Sequence, residues 1–198
     1  ILNFNPFYSN MTGKTETLDL SHLFNATGVI SEFLKTEIFS NKNIDFELDV
    51  KAKKLSHNQD FKNIILNLKI QEGLIDINKT NFNWRDFVDF KILDSLLFVK
   101  NGELVLDGKA IIDIKNLKEL YKFLLTPKNH RKDLKNVDLN FSYNFDQKSL
   151  LLRDIKIDEQ YNENINIILN NIIFKSNNLQ NKIYIKNVLN EAIKIYAG

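Results

Sequence analysis

The side chains able to do chemistry lie far apart. The three histidines, His22, His57 and His130, match neither metal-ligand spacing nor a nucleophile and base pair, so each reads as a surface or capping residue. Asp76, Asn78 and Thr80 begin like a calcium loop, but Asn81 stands where the sharp turn needs Gly, and the twelfth position is Phe87 rather than Glu. Asp154, Asp158 and Glu159 offer carboxylates for acid–base work, yet alternating Asp is what a solvated strand edge carries, and nothing selects one pair. Gly-rich phosphate loops are absent. With no Cys there is no thiolate nucleophile, Cys-ligated zinc, Fe–S cluster or disulfide, while the compartment stays open between cytosol and periplasm. The expectation is no enzyme, no cofactor and no metal.

Recognition chemistry has two candidates. Trp84, with Phe82 and Phe87 nearby and Arg85 beside it, stacks on sugars or bases if exposed and is core if buried. The basic run Lys128-Asn-His-Arg-Lys132 suits anionic groups or simply forms a solvated loop. The 27 basic and 25 acidic side chains leave a formal charge of +2, too balanced for a polyanion trap, so nucleic acid is not an expected partner. The sequons Asn10-Met-Thr and Asn25-Ala-Thr are chance matches in an Asn-rich chain.

The elements that position these residues follow from periodicity. At 198 residues, 43% hydrophobic and 26% charged, the chain suits one folded domain. Residues 1–42 read as a mixed segment, with a turn at Asn10, Thr12 and Gly13 and an apolar stretch from Leu18 to Phe39 forming a helix or a strand plus helix. From Asn43 to the end the pattern changes. Ile44, Phe46, Leu48, Val50 and Ala52 alternate with charged residues, which is the period of a half-buried strand.

Ile64, Leu66, Leu68 and Ile70 repeat the alternation, and Glu72-Gly73 turns the chain into Ile75 and Ile77. Asn101-Gly102 introduces Leu104, Leu106, Gly108, Ala110, Ile112 and Ile114, with a bend or bulge expected at Gly108. Val137, Leu139, Phe141, Tyr143 and Phe145 form a further strand, followed by Leu151 to Ile157 and by Ile165 to Phe174. Helical spacing predicts a helix over 116–125, capped by Asn116 and stopped before Pro127, and another over 185–196. With few Gly and Pro, Asn must share the reversals, Asn177-Asn178 among them. The predicted class is mainly β: a long meandering antiparallel sheet curled into a groove or open barrel, with two or three short amphipathic helices.

So few helices cannot cover so many apolar strand faces, and an uncovered face accepts an apolar ligand. The segment Asn43-Ile-Asp-Phe-Glu-Leu-Asp-Val-Lys-Ala-Lys-Lys-Leu, then Phe61 to Ile70, then Glu72-Gly-Leu-Ile-Asp-Ile, resembles the C-terminal β region of AsmA-like proteins. Asn101-Gly-Glu-Leu-Val-Leu-Asp-Gly-Lys-Ala, the helix after it and Val137 to Ile157 extend the resemblance over residues 43–175. Trp84-Arg85-Asp86 departs from it, standing where that family often carries Gly-Gly.

The resemblance implies a Gram-negative envelope protein anchored in the inner membrane by a helix ahead of Ile1, whose periplasmic β-groove holds or conducts lipid in support of outer-membrane assembly. Its partners would be a phospholipid or lipopolysaccharide-like lipid and other envelope proteins. Candidate groove residues are Ile64, Leu66, Leu68, Ile75, Ile77, Leu104, Leu106, Ala110, Ile112, Leu139 and Phe141. The competing readings are a structural or protein-interaction module with a closed core, and a glycan-binding or hydrolytic domain built around an exposed Trp84.

Overall fold

Alternation at period two commits most of the chain to strands, and pairing those strands buries their apolar faces together. The computed structural model describes residues 2–4, 7–20, 29–36, 38–175, 178 and 181–198. The strands are β1 (Leu2–Phe4), β2 (Phe7–Leu18), β3 (Ile44–Leu55), β4 (Phe61–Gln71), β5 (Leu74–Asp76), β6 (Asn81–Trp84), β7 (Val88–Lys100), β8 (Glu103–Ile114), β9 (Asn136–Asn144), β10 (Ser149–Ile157), β11 (Gln160–Tyr161) and β12 (Phe174–Lys175). All twelve belong to one sheet, ordered β1-β2-β3-β4-β5-β7-β8-β9-β10-β11, with β6 bridging β4 and β7 and β12 beside β10. The protein is mainly β, as the alternation requires, and its sheet is curled rather than closed.

From β3 onward the long neighbours run antiparallel, but β2 lies parallel to β3 from Phe7↔Ile44 to Leu18↔Leu55, so the sheet is mixed. A parallel pair needs a crossover, and α1 (Val29–Lys35) lies within that connection. The turn expected at Asn10 to Gly13 does not form, because β3 satisfies the backbone of β2 throughout and Asn10 donates to Glu47 at 3.1 Å.

Three strands carry a bulge of the same form. Asn63 (φ 50°), Asp94 (φ 48°) and Asp154 (φ 50°) are left-handed, and each begins a pair of residues facing a single partner residue: 63–64 opposite Phe82, 94–95 opposite Gly108, and 154–155 opposite Leu139. Asn and Asp here take the role Gly usually fills, since their short polar side chains tolerate this backbone region. A bulge reverses side-chain parity. Thus Phe61 and Ile64, Ile92 and Leu97, and Leu152 and Ile155 share the inner face although their numbers differ in parity. Gly108 itself pairs regularly with Phe141, so the irregularity expected there belongs to the strand beside it. Gly is needed at 108 because a Cβ would stand 2.9 Å from Phe141 Cζ and 3.2 Å from Ser95 Cβ.

The hairpin turns are as read: Glu72-Gly73 and Asn101-Gly102 both have positive φ at each central residue, which matches the twist of the flanking strands. The expected helix at 116–125 is α2 (Leu117–Leu124), capped by Asn116 Oδ1 accepting from Glu119 N at 3.1 Å and ended by left-handed Leu125. The strand expected over Ile165 to Phe174 is instead α3 (Glu163–Asn170) followed by the short β12. Asn162 caps α3, and Asn166, 1% exposed, binds both Ile155 N and Ile155 O at 2.7 Å, docking the helix on the β10 bulge. The last helix, α4 (Lys182–Ala197), begins one turn earlier than its apolar stripe, at the cap Asn181.

These helices plug the curled sheet at separate places. Leu34 of α1 and Phe39 pack on the cluster of Ile70, Ile75, Leu97, Leu104 and Phe145. Helices α3 and α4 pack beside Ile155, Ile157, Leu139 and Ala110, and α2 with α4 covers Phe87 and Val88. Lys35 ties α1 to Asp146, which also accepts Leu104 N at 2.8 Å. Burial raises the Asp146 carboxyl, but Lys35 and that backbone N–H outweigh it and hold it below the usual carboxylate range.

Candidate functional site

Between the plugs the inner face does not meet. It surrounds a half-open hollow of about 570 Å³, inside the roughly 300–1,000 Å³ span of ligand pockets. Its walls come from the end of β2 (Leu18), β3 (Leu55), β4 (Phe61, Ile64, Leu66), β7 (Ile92), β8 (Leu106), β9 (Phe141, Tyr143) and β10 (Leu150), together with Leu20, Ile77, Thr80, Phe82 and Phe145. These sites are distant in sequence, and the curl of the sheet converges them.

Few polar groups line this wall. The hydroxyl of buried Thr80 donates to Asn67 O and accepts from Asn67 N, both at 3.1 Å. Tyr143 packs edge-on against Phe145 at 4.8 Å, and burial raises the titration of its phenol. The wall therefore offers dispersion and desolvation along its length but few fixed hydrogen bonds, which suits an alkyl chain. Hollows of about 530 and 540 Å³ over the β2–β3 end are lined mainly by charged or small residues such as Lys14 and Lys51, the first also by Ile64 and Ile65, and have no comparable apolar wall.

Of the predicted groove residues, Ile64, Leu66, Ile77, Leu106 and Phe141 line the chamber. Leu68, Ile75 and Leu104 pack instead under α1, and Ala110, Ile112 and Leu139 pack toward α3 and α4. Leu18, Leu20, Leu55, Phe61, Thr80, Phe82, Ile92, Tyr143, Phe145 and Leu150 complete the wall without having been among the predicted groove residues. Phe61 was hidden by the parity reversal at Asn63, whereas Tyr143 lay on the same period-two face as Phe141.

A smaller hollow of about 260 Å³ adjoins the chamber and shares Phe61 with it. Phe61 meets Phe82 edge-on at 5.5 Å, and Phe82 stacks on its cross-strand partner Phe90 at 4.9 Å, so an aromatic partition stands between the two spaces. Trp84 is half-buried here, edge-on to Phe87 at 5.3 Å and to Phe123 at 5.2 Å. Its packing is structural, with one side left as wall. Asp60 lies at the rim, 3.2 Å from Arg85 Nη2 and 3.3 Å from Lys182 Nζ. Burial pushes its carboxyl up, but the Lys182 and Arg85 contacts prevail and hold it low.

Most of the other chemical candidates are separately engaged. Asn78 Oδ1 accepts from Ser95 N and Oγ, and Asp76 Oδ1 from Asn78 N, so the calcium-like segment ties its loop to the β7 bulge. Asp158 accepts from Lys135 N and Asn136 N at 2.9 Å, whereas Asp154 accepts from Asn140 at 2.8 Å. Exposed His57 lies 3.3 Å from Asp19. In the basic run, Arg131 donates to Thr126 O and Lys132 to Tyr196 O. His22, the Asn25 sequon and the Asn177-Asn178 pair lie outside the described residues or straddle their boundary.

Among the described residues no helix is long and apolar enough to cross a membrane. Comparison with protein-family models, curated proteins and solved structures finds no match.

Proposed function

We propose that the curled sheet binds lipid, with the acyl chain inside the apolar chamber, and that the protein is a non-enzymatic part of a cell envelope. The observation that carries this reading is the chamber of about 570 Å³ whose lining is almost wholly aliphatic and aromatic. Burying methylenes there gains about 0.8 kcal/mol each, and similar contacts all round let a chain slide without breaking directional bonds. The resemblance to AsmA-like proteins supports a periplasmic setting, which cell fractionation tests independently. Organic extraction of purified protein, read by mass spectrometry, should yield bound lipid, and apo protein should brighten a fluorescent phospholipid. An empty extract together with no uptake refutes the reading.

One observation favours a second reading, a closed-core scaffold that binds other envelope proteins. Leu104, 1% exposed, and buried Ile75, Ala110 and Leu139 are packed as ordinary core beneath the helices. Crosslinking that captures envelope proteins but never lipid would support it.

A further inference from the structure

The small aromatic hollow differs from the chamber in carrying charge at its rim. Lys182 and Lys186 line it against the single lining carboxylate Asp60, which is also paired with Arg85 outside the lining, so cations are in excess. Lys186 Nζ sits 4.0 Å over the Phe123 ring and forms no ion pair among the described residues. Arg85 Cζ lies 4.2 Å from the same ring, and its buried Nε has no hydrogen-bond acceptor among the described residues. The floor, from Phe61, Trp84, Phe90, Ile185 and Leu189, does not solvate a free ion.

We propose that the occupant of the chamber is an anionic amphiphile, its carboxylate or phosphate head held by Lys182 and Lys186 in the aromatic hollow and its tail passing Phe61 into the chamber. This rests on the lipid reading of the chamber. The two hollows adjoin through Phe61, so one molecule reaches both once that ring turns aside. A cationic head meets like charge at the rim, and a neutral head leaves the excess cations unmatched.

The test uses the full chain with Nile red, a neutral apolar dye, bound in the chamber. Oleate and an oleoyl lysophosphatidate should displace it at about tenfold lower concentration than oleyl alcohol. Either order between the two acids supports the proposal and tells carboxylate from phosphate. K182Q/K186Q should abolish the advantage while oleyl alcohol displaces as before, and K182R/K186R should restore it. Both lysines are at least partly exposed, so the variants should fold, with unchanged circular dichroism as the control.

Equal displacement by the acids and the alcohol in the wild type overturns the proposal but leaves the chamber reading intact. So does an advantage that survives in K182Q/K186Q. Inorganic phosphate that cancels the advantage at matched ionic strength also overturns it, since it would mark a site for a free anion. If Nile red fails to bind and neither acid nor alcohol is taken up, the chamber reading itself fails.

Discussion

Replacing Gly108 by Ala tests whether the inner face is built as described. The new methyl would lie 2.9 Å from Phe141 Cζ, 3.0 Å from Phe141 Cε1 and 3.2 Å from Ser95 Cβ. Ser95 cannot yield easily, because its N and Oγ are both held by Asn78. The Phe141 ring must therefore turn, and the open space beside it is the chamber. Overpacking a core costs about 1–3 kcal/mol, and the chamber places this case at the low end. Against it stands a gain of about 0.4–1 kcal/mol, because Ala narrows the unfolded ensemble at a site whose φ is not left-handed. The net expectation is a loss of about 0.5 kcal/mol, or about 1–2 °C in Tm for a chain of this size. Urea denaturation should show a lower midpoint with an unchanged slope. G108A should also bind Nile red more weakly, since the displaced ring occupies the chamber. In an F141L background the penalty should vanish, giving a coupling of at least about 0.5 kcal/mol. A penalty that persists in F141L, or a coupling well below about 0.5 kcal/mol, refutes the assigned packing.

Asp146→Asn should destabilise the fold by about 1.5–3 kcal/mol at neutral pH by weakening the Lys35 and Leu104 contacts. Because the folded Asp146 carboxyl titrates below its unfolded value of about 3.9, its contribution is present above that pH and disappears as pH falls through the folded value. Chemical denaturation of wild type and variant should converge in acid, and a gap unchanged down to pH 2 contradicts the assignment. Asn166→Ala removes the clamp on Ile155 in a fully buried place and should cost about 2–4 kcal/mol, read as a lower urea midpoint. A loss under about 0.5 kcal/mol would mean that α3 is not docked through this amide.

Strands with one unbroken alternation were legible from sequence, as β3 and β8 illustrate, because a helix would scatter their charges around its circumference. Helix α2 was legible through Leu117, Leu120, Tyr121 and Leu124 and its Asn116 cap. Helix α3 was not. Ile165, Ile167 and Leu169 mimic period two, and what decides for helix is the Asn162 cap together with the hold of Asn166 on a distant bulge. Strand β2 was missed because its Ser9, Met11, Gly13 and Thr15 face lacks an apolar row, so its partner β3 rather than its own pattern fixes it. The chamber was half legible. Residues beyond a bulge fall on the wrong side of any count by twos, as Phe61 does, and which part of a face the helices leave uncovered is a tertiary fact. In the charged hollow, Trp84 and Arg85 were visible as a motif, but Asp60, Phe123, Lys182 and Lys186 come from separate elements with no common spacing.

The three left-handed bulges on β4, β7 and β10 mean that curvature is written into the main chain. Non-glycine residues hold that conformation at some conformational cost, so the bend is a standing property of the folded sheet. The hollow is thus a rigid mould rather than a mitten that tightens around its contents. Guests should be sorted by fit and admitted or released with little rearrangement of the scaffold, so that exchange is governed by the few rings at the doorway.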